Sequence, residues 1–124
     1  MKTFVFLGCL QAFFAIALGA FGAHALRDVL DAKSLAVYQT GVQYHQMHAL
    51  ALILAGVLRE RLTEKRLVTA AGWLFVVGVA LFSGSLYTLA LTNVRAIGAV
   101  TPVGGACFLL GWALLAVAAT RHRA

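Results

Sequence analysis

Charged residues are confined to the ends of this chain and to three short gaps, which leaves four long uncharged segments. The sequence has 124 residues, of which ten are Lys or Arg and four are Asp or Glu. The uncharged segments cover residues 3–26, 34–58, 67–94 and 96–120. Each is longer than the roughly 20 residues that a helix needs to cross the hydrocarbon core of a bilayer. The pattern therefore predicts an all-α membrane protein with four transmembrane helices.

The composition also indicates that the chain folds in membrane lipid and not in water. The chain is 62% hydrophobic and 11% charged, and a single water-soluble domain of this length has too little interior to bury that much apolar surface. Membrane lipids are therefore the expected partner. The net charge of +6 does not indicate a nucleic-acid partner, because the cations lie at helix ends and not on one continuous basic face.

We expect one membrane domain over residues 1–124, in which spans at about 4–24, 36–58, 67–91 and 101–120 form an antiparallel bundle. Between the first two spans, Leu26, Val29 and Leu30 share one helical face and the charged residues lie on the other. This amphipathic pattern predicts a short interfacial helix. Ser34 is the expected N-cap of helix two.

Lys and Arg residues are distributed unequally between the two ends of such a bundle. One end would carry Lys2, Arg59, Arg61, Lys65, Arg66, Arg121 and Arg123, and the other only Arg27, Lys33 and Arg95. Loops rich in Lys and Arg stay on the cytoplasmic side, so both termini are predicted to be cytoplasmic. The first segment is expected to be a retained helix and not a cleaved export signal, because its apolar run is long and Gln11 interrupts it.

Helix two carries an unusual load of polar residues for a membrane span. They are Tyr38, Gln39, Thr40, Gln43, Tyr44, His45, Gln46 and His48. At 100° per residue, the three glutamines fall on one face, whereas Tyr44, His45 and His48 spread over the opposite face. Unsatisfied polar groups are costly in hydrocarbon, so we expect this half of the helix to be surrounded by protein or to lie partly in the interface.

Antiparallel connectivity places other polar side chains at the same depth, toward one leaflet. They come from the end of helix one, the last turns of helix three and the start of helix four. Together with helix two they define a polar band and candidate ligand site that comprises His24, Gln39, Gln43, Tyr44, His45, His48, Ser83, Ser85, Tyr87 and Thr101.

Three interpretations of this band remain open. The first is a hydrogen-bonded network that holds the helices together. The second is a buried ligand site, in which His24, His45 and His48 supply axial nitrogens to a haem or Tyr and His side chains hold a quinone headgroup. The third is a polar route for a small solute or proton. No metal site is assigned, because His45 and His48 lack a third firm ligand. No catalytic residue is assigned either, because a dyad of Ser83 or Ser85 with His45 would lack a carboxylate.

Four segments together resemble one family: Gly19 to Leu26, Tyr38 to Leu50, Phe82 to Tyr87 and Thr101 to Gly105. Their sequences and order resemble the small bacterial inner-membrane proteins grouped as a domain of unknown function, relatives of the mitochondrial transmembrane protein 256. The resemblance spans nearly the whole chain and implies a compact four-pass protein of the bacterial inner membrane. It brings no established catalytic or binding residues.

The expected function is that of a structural or accessory membrane protein without enzymatic activity or cofactor. It would act alone, as a homo-oligomer or beside a larger membrane complex. The alternative is a haem- or quinone-binding redox subunit, or a small-solute pathway, built on the polar band of helix two.

Overall fold

The computed structural model describes residues 1–123 as four long α-helices. They are α1 (Lys2–His24), α2 (Ala32–Arg61), α3 (Lys65–Thr92) and α4 (Thr101–Thr120), with a short 3-10 helix at Arg95–Ala99 before α4. No strand occurs within these residues. The prediction of an all-α protein is confirmed, and each helix lies on one of the four uncharged segments.

Neighbouring helices along the chain pack against each other and run in opposite directions. The main packing pairs are α1 with α2, α2 with α3, and α3 with α4. Early in α1, Gly8 lies against Ile53 near the end of α2, whereas Gly22 lies against Tyr38 near its start. Between α2 and α3, Ser34 bonds to Asn93 at one end and Arg59 Nε donates to Thr69 Oγ1 at the other, so these two helices are also antiparallel.

The two ends of the bundle differ in what they contain. The N-terminal amine of Met1 lies 3.6 Å from Glu60 Oε1, and the Arg123 backbone N–H donates to Thr63 Oγ1 at 3.3 Å. Both described ends of the chain therefore meet the α2–α3 turn at what we name the terminal end. At the opposite end, the loop end, Ser34 Oγ donates to Asn93 Oδ1 at 3.3 Å.

Three segments are long and apolar enough to cross a membrane. They are Lys2–His24, Lys65–Thr92 and Arg95–Thr120. The polar residues of α2 keep it out of this set, although its 30 residues would extend about 45 Å. Hydropathy alone thus identifies three of the four helices as candidate membrane spans.

The connection between α1 and α2 corrects two expectations. Residues 25–31 are turns and not an interfacial helix: one helical turn forms, in which the Val29 and Leu30 N–H groups donate to Leu26 O at 3.1 and 3.0 Å. It does not continue because the Asp31 carboxylate starts α2 there, accepting the Ser34 N–H at 2.7 Å. Asp31, and not Ser34, is therefore the N-cap of α2.

Aromatic rings packed on glycines bring the helices together. A Cβ atom on Gly78 of α3 would lie 2.5 Å from Phe108 of α4, and one on Gly111 of α4 would lie 2.6 Å from Phe75 of α3. The Phe4 ring of α1 covers Gly72 of α3 in the same way. The largest cluster of buried apolar side chains includes all three phenylalanines and extends to the terminal end.

Candidate functional site

His48 lies at the centre of the bundle, where it joins α2 to α4. Only 2% of its surface is exposed. Its Nδ1 lies 2.8 Å from the Tyr44 carbonyl oxygen, and its Nε2 lies 3.1 Å from Trp112 Nε1. A carbonyl oxygen only accepts and an indole N–H only donates, so Nδ1 carries the hydrogen and Nε2 accepts. Both ring nitrogens of a neutral imidazole are thereby used.

Aromatic rings enclose the His48 imidazole. The Phe108 ring stacks on it with a centroid distance of 3.6 Å and an angle of 9° between the planes, and Phe75 presents its edge at 5.3 Å. The Tyr44 ring, half-buried, packs against Phe82 at 4.7 Å. The imidazole is thus held by rings from α3 and α4 as well as by its two hydrogen bonds.

His45 faces α3, about one turn nearer the loop end. Its Nδ1 lies 2.9 Å from the Tyr87 hydroxyl, and the Tyr87 ring lies 5.2 Å from the ring of Tyr38. The Tyr38 hydroxyl donates to the Leu18 carbonyl oxygen of α1. This chain of three side chains links α1, α2 and α3 within the loop half.

The serines of α3 reach both neighbouring helices. Ser83 Oγ donates to the Gly41 carbonyl oxygen of α2 at 2.7 Å. Ser85 Oγ donates to the Phe82 carbonyl at 2.9 Å and also lies 2.5 Å from Thr101 Oγ1 of α4. Because the single Ser85 hydroxyl hydrogen is already used, Thr101 is the donor in the second bond.

The structure brings together part of the polar band and leaves the rest outside. We name the inward-facing part the polar network; it consists of His45, His48, Ser83, Ser85, Tyr87 and Thr101. Tyr44 joins it through its carbonyl oxygen. By contrast, His24, Gln39 and Gln43 are exposed. The glutamine face is therefore not surrounded by protein within one copy of the chain.

The hydrogen bonds and positions of these side chains bear on whether they could act as nucleophiles or as metal ligands. Neither Ser83 nor Ser85 is hydrogen-bonded to His45, since both hydroxyls donate to carbonyl oxygens and His45 pairs with Tyr87. His48 has no free lone pair for an iron atom. Among residues 1–123, no three His, Cys, Asp or Glu side chains are grouped so as to hold a metal ion.

Two residues of the site were missed from the sequence. Trp112 supplies the hydrogen bond to His48 Nε2, and Phe108 supplies the stacked ring. A signal existed for Trp112, because a tryptophan in the middle of an apolar helix needs an acceptor for its N–H when it is turned inward. Phe108 stood in a run of apolar residues and had no such signal.

A cavity of about 500 Å³ opens at the loop end, away from the imidazoles. Asp31, Ser34, Asn93 and Arg95 contribute to its lining. The hydrogen bond from the Ser34 backbone N–H holds the pKa of the Asp31 carboxyl below its usual 3.8, and Lys33 lowers that pKa further. Asn93 adopts a left-handed conformation with φ of 57°, which asparagine tolerates at a helix C-terminus, and it ends α3.

The chain matches the family described as protein of unknown function (DUF423) over residues 18–105. It is 47% identical over 122 residues to the UPF0382 membrane protein YwdK of Bacillus subtilis (strain 168), covering 98% of this chain and 99% of the relative. It is 45% identical to a UPF0382 membrane protein of Staphylococcus epidermidis, with 95% of each chain covered.

A third relative is UPF0382 membrane protein SSP2132 of Staphylococcus saprophyticus, 45% identical over 94% of this chain and 96% of its own length. No solved structure matches the chain. The relation to the mitochondrial transmembrane protein 256 stays a prediction. The match to the family covers more than half of the chain, and its relatives carry the name of membrane proteins. This chain is therefore a membrane protein that belongs to the DUF423 family.

Proposed function

We propose that this protein is a four-span component of the bacterial inner membrane that has a structural or accessory role and no catalytic activity. Its polar network would hold α2, α3 and α4 together and would not bind a cofactor or substrate. The observation that carries this proposal is the use of both His48 nitrogens in hydrogen bonds within the chain.

The packing of α2 supports the fourth span. Three residues, 62–64, separate α2 from α3, and α2 contacts α1 along its whole length, from Tyr38 beside Gly22 to Gly56 beside Phe4. If α1 and α3 both cross the bilayer, α2 must cross between them in the opposite direction. Its polar side chains are tolerated where they face the other helices.

The distribution of cations supports an orientation with cytoplasmic termini. The contacts of Met1 with Glu60 and of Arg123 with Thr63 bring both described ends to the α2–α3 turn. That turn region contains Arg59, Arg61, Lys65 and Arg66. An excess of Lys and Arg on one side is typical of the cytoplasmic face.

The arrangement of the histidines does not favour the redox alternative. Gly22 is level with Tyr38, so His24 lies near the start of α2, about 13 Å along the helix axis from His45. His48 faces Trp112 and Phe108 with no free nitrogen. A proton or solute route is equally unsupported, because the polar network contains no Asp, Glu, Lys or Arg.

Ligand titration tests the absence of a cofactor site. Protein purified in mild detergent would be titrated with haemin and, separately, with a soluble quinone analogue. Soret absorbance and the fluorescence of Trp112 in a Trp73→Phe background would report binding. We expect no saturable change. Saturable binding that is lost in His45→Ala but retained in His122→Ala, an exposed control, would overturn the proposal.

Cysteine labelling tests the topology. In a Cys9→Ser, Cys107→Ser background, Val29→Cys in the exposed α1–α2 connection and Glu64→Cys in the α2–α3 turn place single thiols at the two ends of α2. A membrane-impermeant maleimide added to intact cells with a permeabilised outer membrane should label Val29→Cys only. Labelling of both residues from the same side would contradict a four-span arrangement, and labelling of Glu64→Cys alone would reverse the orientation.

A further inference from the structure

The outward side of α2 carries three exposed glutamines, of which Gln46 lies beside Gly19 of α1. Gln39, Gln43 and Gln46 are exposed, whereas His45 and His48 on the other side of the helix are buried. In residues 1–123, the side-chain hydrogen bonds of α2 use Asp31, Ser34, Tyr38, Thr40, His45, His48 and Arg59, and none reaches these glutamines.

The glutamines belong to a stripe that runs along most of α2. Its members are Ala36, Gln39, Gln43, Gln46, Leu50, Leu54 and Val57, and all are exposed. Alternating spacings of three and four residues are typical of the seam of a helix pair. The stripe follows this alternation from Ala36 to Leu50. We name this set the α2 seam; its loop half is amide and its terminal half aliphatic.

Hydrocarbon chains cannot satisfy the amides of this seam. Each glutamine side chain has two N–H hydrogens and one carbonyl oxygen, and a polar group without a partner is unfavourable in lipid. The aliphatic half of the seam has no such requirement. The polar half of the α2 seam therefore calls for a partner that presents donors and acceptors at the same depth.

A second copy of this chain meets that requirement. Two copies inserted in the same direction are related by a twofold axis along the membrane normal, so each residue near the axis faces its own counterpart. A charged side chain would repel its counterpart, but an amide donates to and accepts from an identical amide. The α2 seam contains no charged residue, and its three polar members are all self-complementary.

A groove beside the α2 seam provides room for side chains of the second copy. It has a volume of about 260 Å³ and is lined by Ala12 and Ile16 of α1 and by Gln46 and Leu50 of α2. Two of its four lining residues belong to the seam. The groove therefore continues the proposed contact surface from α2 onto α1.

We propose that the protein forms a parallel homodimer in which the α2 seams of two copies pack together and Gln39, Gln43 and Gln46 pair with their own counterparts. The common direction of insertion and the pairing of identical amides fix the register of the two α2 helices, as buried polar residues do in coiled coils. The dimer rests on α2 crossing the bilayer, as the proposed function requires.

Oxidative crosslinking in membranes tests the seam. Single cysteines at Gln39, Gln43 and Gln46 would be introduced in the Cys9→Ser, Cys107→Ser background. We expect Gln43→Cys to give a species of twice the 13.2 kDa chain mass. The matched control is Val103→Cys, an exposed position on α4 in the same half of the bundle. Equal crosslinking at Val103→Cys, or none at the three seam positions, would overturn the dimer.

A second measurement does not depend on cysteine. Dimerisation of the fluorescently labelled protein in liposomes of bacterial phospholipids would be followed by single-molecule photobleaching as the protein is diluted. We expect the triple variant Gln39→Leu, Gln43→Leu, Gln46→Leu to raise the dissociation constant about 20-fold, from three lost amide pairs in the bilayer. Gln11→Leu, which removes an amide outside the seam, is the control and should leave it unchanged. An unchanged constant in the triple variant would contradict the proposal.

The outcomes separate the dimer from the four-span arrangement. If the Val29→Cys and Glu64→Cys labels lie on opposite sides of the membrane but the seam cysteines do not crosslink, the dimer is wrong and the topology stands. If seam cysteines crosslink to a product of another mass, a different protein covers α2 and the homodimer is wrong.

Discussion

The terminal half and the loop half of the bundle are held together by different interactions. In the terminal half, rings and aliphatic side chains such as Phe4, Leu52 and Phe75 fill the space between helices. In the loop half, hydroxyl and imidazole groups such as Ser83, His45 and Thr101 bridge the helices. His48 lies where the two halves meet, hydrogen-bonded on both nitrogens and stacked on Phe108.

The two kinds of interaction contribute unequally to stability in a bilayer. A hydrogen bond between membrane helices contributes about 0.6 kcal/mol on average, because the separated helices also find partners. The loss of a large buried ring costs several times more through the contacts that disappear. We therefore expect the terminal half to supply most of the stability and the loop half to supply the register between helices.

The largest effect should follow from removing a ring in the terminal half. Phe75 has 0% of its surface exposed, and Phe75→Ala should lower the free energy of unfolding by about 3 kcal/mol through the cavity it leaves. Unfolding in mixed micelles of increasing sodium dodecyl sulfate measures this. Phe13→Ala, at a 68% exposed ring on α1, is the control; an equal loss there would show that packing inside the bundle is not the cause.

A new Cβ atom at a close contact should have the next largest effect. At Gly104 it would lie 2.4 Å from the Phe82 backbone nitrogen, so α4 would have to move away from α3. Gly104→Ala should destabilise the protein by about 2 kcal/mol. Nothing lies within 4 Å of the same atom at Gly84. The midpoint of thermal unfolding in detergent should therefore be nearly the same for Gly84→Ala as for the wild type. Similar midpoints for Gly84→Ala and Gly104→Ala would contradict this packing.

The boundary between the halves can be tested at Trp112. Trp112→Phe keeps a ring but leaves His48 Nε2 without a donor, at an expected cost of about 1 kcal/mol. Nitrogen-15 NMR of labelled histidine should show the His48 hydrogen on Nδ1 in the wild type and a shifted Nε2 resonance in the variant. Trp73→Phe, at the edge-on partner of Phe4, should not move that resonance. A wild-type hydrogen on Nε2 would refute the assignment of donor and acceptor.

A single hydrogen bond of the loop half should matter less. Ser83→Ala removes the bond to Gly41 O between α2 and α3 and should reduce the free energy of unfolding by about 0.6 kcal/mol. Thr88→Ala removes a bond to Gly84 O within α3 only and serves as the control. A loss at Ser83 as large as that of Phe75→Ala would reverse the ranking of the two halves.

The smallest effect should be the pH dependence at the loop end. Because the hydrogen bond from the Ser34 backbone N–H lowers the folded-state pKa of Asp31, its charged form stabilises the folded state above pH 3.8. That contribution is lost as the pH falls through the lower folded-state pKa. Thermal midpoints measured at about pH 5 and about pH 3 should differ slightly more in the wild type than in Asp31→Asn, which caps α2 without titrating. An identical dependence in both proteins would show that Asp31 does not contribute.

The positions of the helices were predictable because the sequence patterns that mark helices and turns extend over many residues. Charges such as Arg59 and Arg66 marked a turn, and the 3.6-residue period of α2 separated Gln43 from His48. Contacts that depend on the rotation of a helix were not predictable. Nothing in the apolar sequence of α4 showed that Phe108 would stack on His48. The N-cap of α2 was predicted to be Ser34 and is Asp31, three residues earlier, because the Asp31 carboxylate accepts the Ser34 N–H.

The order of packing has a consequence for biosynthesis. Since each helix packs mainly on the one that precedes it in the chain, every helix that leaves the ribosome finds its neighbour already inserted. Assembly can therefore proceed stepwise during translation, and only the α2 seam must wait for another polypeptide.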